Sequence, residues 1–222
     1  MDLESYSTLE AIFVVLLIMA PAYLANTIAV LTGGRYPIDQ GKLYSDGNRI
    51  LGDGKTWSGL IGGTIGGIIV GYGMIFVILR NLYHDILWKL GLDSSSENFV
   101  DKLNLMFRKD PTFLDHRLWG TDFLTITSIF FLLSFGALFG DMAASFYKRR
   151  QNLQRGDKFA LLDMYDFIFM SLLLCFIFQR DWLLSWILDG WVPLFTILVL
   201  TPFLHRGVNI IGYKIGVKNE PW

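Results

Sequence analysis

The sequence FGALFGDMAASFYKRRQNLQRGDKFALLDMYD, residues 135–166, decides how this chain is organised. Its apolar run contains Asp141, and a basic cluster at 148–150 follows about two helical turns later. A short polar link leads to Asp163 and Asp166, at the start of the next apolar run. Ionisable groups placed at the ends of apolar helices in a membrane indicate a functional site.

The composition indicates an integral membrane protein. The 222 residues are 53% hydrophobic and 15% aromatic, with a mean hydropathy of +0.43. This apolar share exceeds that of an average soluble domain. The formal net charge of -1 gives no general attraction to nucleic acid, and the single cysteine, Cys175, excludes a disulfide framework and a cysteine-ligated zinc site.

The apolar runs predict an all-α polytopic integral membrane protein, because about 20 mostly apolar residues in a helix span a bilayer. We expect one domain, 1–222, whose polar cavity faces the cytoplasm, with 80–121 as an extracytoplasmic amphipathic insertion. A glycine repeat at four-residue spacing in the second run predicts tight helix packing, with a ligand slot as the alternative. About five transmembrane helices are predicted, at 9–31, 58–79, 122–146, 161–179 and 183–203.

Charge predicts the orientation of these helices. The connector at 33–57, the link after the third helix and the C-terminal tail carry most of the lysines and arginines. Cytoplasmic loops are enriched in these residues, so we expect a multi-pass protein of the cell membrane with its N-terminus outside and its C-terminus in the cytoplasm.

The connector at 33–57 contains a candidate phosphate-binding segment. Asp53, Gly54, Lys55 and Thr56 precede the second helix, and helix N-termini favour anions. The segment is not a Walker A motif, because Arg49 stands where that motif needs glycine. A solvated turn capped by threonine is the alternative. In the first helix, Asn26 is expected either to line the same cavity or to make an interhelical hydrogen bond.

The acidic residues suit a magnesium site. Asp163 and Asp166 are three apart and project from one side of a helix, where Asp141 of the preceding helix would face them. Mg²⁺ prefers oxygen ligands, commonly carboxylates together with phosphate oxygens and water. The basic cluster Lys148, Arg149 and Arg150 could neutralise a polyphosphate. Composition alone does not separate such an enzyme from an ion-coupled transporter.

These motifs together resemble the archaeal CDP-archaeol synthase family, relatives of the CDP-diacylglycerol synthases. The resemblance covers most of the chain except 80–121, and it departs from the family pattern where Met164 and Tyr165 replace an expected polar pair. The matching segments are PAYLAN at 21–26, RILGDGKTW at 49–57, GALFGD at 136–141 with Ser145 and the basic cluster, LDMYDF at 162–167, and Thr201, Pro202, His205 and Asn209.

The resemblance implies a magnesium-dependent CTP:lipid-phosphate cytidylyltransferase of phospholipid biosynthesis. CMP would pass from CTP to 2,3-bis-O-geranylgeranylglycerol 1-phosphate, an isoprenoid ether lipid phosphate held in the bilayer, with release of pyrophosphate. The implied catalytic residues are Asp141, Asp163, Asp166, Lys148 and Arg149, of which the three aspartates would bind Mg²⁺. The implied nucleotide-binding residues are Asn26, Asp53, Gly54, Lys55, Thr56 and Arg150.

Two other functions stay open from the sequence. A CTP-dependent polyprenol or phytol kinase would also bind a nucleotide at the mouths of membrane helices, but would use an alcohol as acceptor. An ion-coupled transporter would usually carry charges near the bilayer centre and have symmetrical halves. Here the acids lie near helix ends and no internal repeat is evident.

Overall fold

The structure, a computed structural model, describes residues 8–74, 121–153, 160–188, 190–214 and 216. These parts of the chain are helical apart from the connectors. Most of the predicted insertion at 80–121 lies outside the described residues. The helices are α1 (Thr8–Thr32), α2 (Trp57–Gly73), α3 (Thr121–Arg150), α4 (Ala160–Phe178), α5 (Arg180–Ile187), α6 (Val192–Phe195) and α7 (Thr201–Lys214), with a π-helical segment at Thr196–Leu200 joining the last two.

The glycine face of α2 packs against α1 and α3, as the four-residue spacing predicts. A Cβ atom on Gly63 would lie 2.8 Å from the carbonyl oxygen of Ala25 in α1, and one on Gly71 would lie 2.6 Å from the ring of Phe130 in α3. The face is therefore filled by the two neighbouring helices, and the alternative of a ligand slot along it is not supported.

Helices α3 and α4, which are joined by the nine residues 151–159, are also in close contact. A Cβ on Gly136 of α3 would lie 2.6 Å from the Cα of Ser171 in α4. The Ser171 hydroxyl donates to the carbonyl of Leu133 at 2.8 Å, which ties the two helices at the same level. This packing brings the C-terminal end of α3 beside the N-terminal end of α4.

Two of the predicted spans are clear in the described residues. The segments Val15–Thr32 and Phe123–Arg150 are long and apolar enough to cross a membrane, and a third span is present if a bent helix pair near the C-terminus counts as one. The chain is thus a largely helical membrane protein. The number of five spans and the orientation of the termini stay predictions.

The fifth predicted helix, 183–203, is wrong as a single straight helix. The chain bends by 93° between Arg180–Ile187 and Val192–Leu204. Gly190 adopts φ 76° at the break, a backbone conformation that glycine reaches without steric cost. Pro193 then occupies the first turn of α6, where its missing N–H leaves no hydrogen bond unmade.

Candidate active site

Two lysine–aspartate ion pairs join separate parts of the chain at one end of the helices. Lys55, just before α2, binds Asp141 in the last turns of α3. Lys148, also near the end of α3, binds Asp163 in the first turn of α4 at 2.5 Å. All four side chains are partly exposed, so a ligand can reach these pairs.

Asp166 lies beside these pairs in α4. Its carboxylate interacts electrostatically with Asp141, Lys55 and Asp163, so the three acids converge at one site. The close approach depends on Gly140, because a Cβ there would overlap the backbone oxygen of Asp166. The carboxylates of two successive helices therefore meet beside basic side chains.

The connector between α1 and α2, residues 33–56, forms a folded loop around Asp39. The Asp39 residue is 5% exposed, and its side chain is fully buried. It accepts two hydrogen bonds from the Arg49 guanidinium, at 2.7 and 3.1 Å. The backbone N–H groups of Gly41, Leu51 and Gly52 donate to it as well. Arg49, helped by these amides, holds the pKa of Asp39 well below its usual range.

A low pKa keeps Asp39 ionised throughout the neutral pH range. Its stabilising effect on the loop is present above the pKa of an unfolded aspartate and is lost only as the pH falls through the lower folded value. The loop is therefore internally fixed, and Lys55 leaves it in a defined direction, toward Asp141. A loop of this kind differs from a flexible linker in that its polar groups are held in place before any ligand arrives.

Arg150 fastens this loop to the end of α3. Its Nη1 donates to Asp46 at 2.7 Å and its Nη2 donates to the backbone oxygen of Arg49 at 2.6 Å. The guanidinium also lies 4.5 Å from the ring centroid of Tyr44. A nearby bond from the Asn48 amide to the Asn152 side chain, at 2.8 Å, adds a second link. Direct nucleotide binding by Arg150 stays a prediction.

Two further predicted site residues, Arg149 and Thr56, lie in different places. Arg149 donates to the Leu153 carbonyl, and its Nε would lie 3.6 Å from a Cβ on Gly52, so it borders the loop. Thr56 is buried and accepts from the N–H of Gly59 at 3.1 Å, which makes it the N-cap of α2. Its hydroxyl thus favours the capping alternative over a nucleotide contact.

The last two of the predicted nucleotide-binding residues are Asn26 and Gly54. Asn26 in α1 has a buried amide oxygen without a hydrogen-bond partner among the described residues, which leaves that oxygen able to accept from a ligand. Gly54 is exposed in the loop beside Asp53. Their roles stay predictions.

The acidic residues fit a magnesium ion only in part as they stand. Among the described residues, no group of three acidic, histidine or cysteine side chains is arranged to hold one ion. Asp141 and Asp163 are instead each paired with a lysine. Mg²⁺ is usually bound by one or two carboxylates, with water and substrate phosphate oxygens completing the octahedron. Two carboxylates from this set are sufficient for that arrangement.

Sequence reasoning did not identify the residues that hold the loop in place. Asp39, Asp46 and Asn152 are polar residues in connectors, where no periodicity marks a buried partner. A signal was present at Asp39, since its carboxylate accepts from the N–H two residues later, an arrangement typical of aspartate before a turn glycine.

Comparison with known proteins places this chain among archaeal lipid enzymes. A family profile described as CarS-like, CDP-archaeol synthase, matches residues 8–107 and 114–222. The CDP-archaeol synthase of Methanospirillum hungatei is 41% identical over 205 residues, covering 92% of this chain and 100% of that protein. That of Picrophilus torridus is 39% identical, covering 91% of this chain and 92% of that protein.

One solved structure is also similar. It is described as an intramembrane enzyme for archaeal membrane lipid biosynthesis, with a TM-score of 0.57 and 27% sequence identity. The likeness covers 90% of this chain and 94% of that one.

Proposed function

The chain belongs to the CDP-archaeol synthase family, and we propose that it transfers CMP from CTP to the phosphate of 2,3-bis-O-geranylgeranylglycerol 1-phosphate. The observation that supports the assignment of the site is the pair of contacts Lys55–Asp141 and Lys148–Asp163 around Asp166. They bring a loop and two helix ends together at one place.

In this reaction an oxygen of the lipid phosphate attacks the α-phosphorus of CTP. A new P–O bond forms to the lipid, the bond from the α-phosphorus to the bridging oxygen breaks, and pyrophosphate leaves with that electron pair. The protein has little covalent chemistry to perform in such a transfer. Its contribution is to position the two phosphates and to offset their charge.

The lysines Lys55 and Lys148 suit the triphosphate. Each now neutralises an aspartate, and each can exchange that partner for a phosphate oxygen when CTP enters. This exchange would release Asp141 and Asp163 from their ion pairs and leave their oxygens available to a magnesium ion that accompanies CTP. Arg149, beside Gly52 of the loop, adds a guanidinium that can bind phosphate oxygens through two N–H groups.

Asp141 and Asp166, with Asp163 as a third candidate, would hold Mg²⁺. When bound, the ion would offset negative charge on the triphosphate. The three carboxylates come from the facing ends of α3 and α4 and offer only oxygen ligands, which suits this ion better than zinc. We also place the site at the cytoplasmic face of the membrane, in accord with the excess of basic residues in the loop and in the link after α3.

The proposed reaction is tested by following labelled phosphate in purified protein held in detergent. With CTP labelled at the α-phosphorus and the geranylgeranyl ether lipid phosphate as acceptor, the lipid product should carry the label, and with γ-labelled CTP it should not. Transfer of the γ label to a polyprenol would indicate a kinase instead. Loss of all labelling would contradict nucleotidyl transfer.

Arg150 should act by positioning the loop. We expect Arg150→Ala to raise the KM for CTP about tenfold with a smaller change in kcat, because it removes two charged hydrogen bonds between the loop and α3. Arg150→Lys should recover part of the loss, since it keeps the charge but not the planar fork. Steady-state kinetics with varied CTP measures both effects.

A matched control for Arg150 is Arg180→Ala. Arg180 also lies over an aromatic ring, 5.3 Å from the centroid of Phe176, but at the opposite end of α4. This variant should keep the KM for CTP. If Arg150→Ala lowers kcat while the KM stays at the wild-type value, the positioning role is wrong.

A further inference from the structure

The C-terminal part of the chain contains the short π-helical segment Thr196–Leu200, between α6 and α7. π-Helices are rare, and they occur mostly as single turns within α-helices, frequently at functional sites. This segment carries none of the acids or basic residues of the candidate site. Any part that it takes in the reaction therefore depends on what it contacts.

The side chains of the segment do not by themselves explain its conformation. Thr196 is fully buried, and its hydroxyl has no hydrogen-bond partner among the described residues. A buried polar group without a partner is unfavourable for stability. Contacts with other helices are therefore needed to hold the segment in place.

Two tyrosines from different helices make these contacts. The Tyr165 hydroxyl of α4 donates to the backbone oxygen of Leu198, inside the segment, at 2.6 Å. The hydroxyls of Tyr23 in α1 and of Thr201, directly after the segment, are 2.9 Å apart and share a hydrogen bond. Thr201 is fully buried. The π-helical segment is thus joined to both α1 and α4.

Both tyrosines adjoin Asp166 of the candidate site. Tyr165 directly precedes Asp166 in the chain. The ring of Tyr23 packs edge-on against the ring of Phe167, the next residue, with 6.0 Å between the centroids. Phe167 is buried. Asp166 therefore lies between two residues that are tied to the C-terminal segment, one directly and the other through Tyr23.

The backbone at this point sets the direction of the Asp166 carboxylate. The N–H of Phe167 donates to Oδ1 of Asp166 at 2.5 Å. Gly140 of α3 approaches the backbone oxygen of the same aspartate. A movement of this turn of α4 would therefore change both the direction of the carboxylate and its position relative to α3.

We propose that Tyr165 and Tyr23 are positioning residues, which use the π-helical segment as a support to hold Asp166 in the direction that CMP transfer requires. Their hydroxyl groups act through Asp166 and not on the substrates. The proposal rests on the proposed function, because it assigns a role within the same reaction. The alternative is that the two hydrogen bonds only stabilise the packing of the helices.

Loss of either tyrosine hydroxyl should lower kcat and leave the KM for CTP near its wild-type value. The lysines proposed to bind the triphosphate, Lys55 and Lys148, belong to the connector and to α3, so loosening the support of α4 leaves them in place. A small displacement of a reacting group can reduce a rate 100-fold, and we expect about tenfold here because the other contacts of α4 remain.

The chain offers a matched control at the opposite end of α2 and α3. The Tyr72 hydroxyl of α2 and the Thr127 hydroxyl of α3 share a hydrogen bond at 2.5 Å. Tyr72→Phe therefore makes the same chemical change and also removes a bond between two helices. If such bonds only stabilise packing, Tyr72→Phe and Tyr165→Phe should affect the melting temperature and kcat alike.

The test compares Tyr165→Phe, Tyr23→Phe and Tyr72→Phe in detergent by thermal unfolding and by steady-state transfer of the α label from CTP to lipid. At a temperature where every variant is folded, the first two should have a lower kcat and an unchanged KM for CTP. Tyr72→Phe should keep the wild-type kcat. Thr201→Val should behave like Tyr23→Phe, and Thr201→Ser, which keeps the hydroxyl, should recover most of the lost rate.

The outcomes separate the reaction from the positioning role. If wild type transfers no α label from CTP, the proposed function itself fails. If wild type is active but Tyr165→Phe and Tyr23→Phe lose no more kcat than Tyr72→Phe, the two bonds are structural and the positioning role is wrong while the reaction stands. A higher KM for CTP at an unchanged kcat would also overturn it, because the tyrosines would then act on nucleotide binding.

Discussion

Asp166→Asn should lower the rate of CDP-lipid formation more than about 100-fold, the scale on which misplaced reacting groups reduce rates. Asparagine keeps the size of the side chain and removes its charge, and Asp166 is the carboxylate that interacts with Asp141, Asp163 and Lys55 together. The measurement is α label appearing in lipid, at saturating CTP and acceptor.

Two controls accompany this variant. Asp181→Asn makes the same chemical change at an exposed site at the other end of α4 and should keep wild-type activity. Membrane insertion and the elution profile of Asp166→Asn in detergent should match those of wild type. Near-wild-type turnover in Asp166→Asn would remove this acid from the mechanism.

Gly140→Ala should reduce both stability and activity, although it adds only one methyl group. That Cβ would overlap the backbone oxygen of Asp166 and would lie 2.9 Å from the Cβ of Met170. Because the clash is with backbone, α3 and α4 must move apart, at a cost of about 1–3 kcal/mol. The same movement displaces Asp166 from Asp141. We therefore expect kcat to fall even at temperatures where the variant is still fully folded.

The matched control for this change is Gly73→Ala near the end of α2. A Cβ on Gly73 meets no atom within 4 Å among the described residues, so alanine should be tolerated there. Alanine also has the higher helix propensity, by about 1 kcal/mol. Thermal unfolding in detergent and steady-state kinetics test the pair of variants. If Gly140→Ala and Gly73→Ala have the same melting temperature and the same kcat, the close approach at Gly140 is not required for stability or activity.

Long apolar runs made α1 and α3 predictable, and the acids at the facing ends of α3 and α4 made the site predictable. Asp141 and Lys148 are seven residues apart, which places them on one face of a helix after about two turns. Both now contribute to ion pairs at the same site. The convergence of Asp163 and Asp166 with Asp141 followed from the short link between α3 and α4.

Other features depended on tertiary contacts that no local pattern marks. Arg150 follows Lys148 by two residues, so it lies about 200° away around the helix and contacts Asp46 of the loop instead of the acids of α3 and α4. Hydropathy treated 183–203 as one span because Gly190 and Pro193 lie within an apolar run. The buried position of Asp39 depends on Arg49 and on backbone amides that only the folded loop brings together.

The fastening of the loop also has a consequence for biosynthesis. The bonds from Arg150 to Asp46 and from Asn48 to Asn152 each span 104 positions of the chain. Residues 33–56 leave the ribosome early, yet these bonds cannot form until residue 152 has been added. The loop half of the candidate site must therefore wait for the third helix, and contacts this distant in sequence are the slow ones in folding.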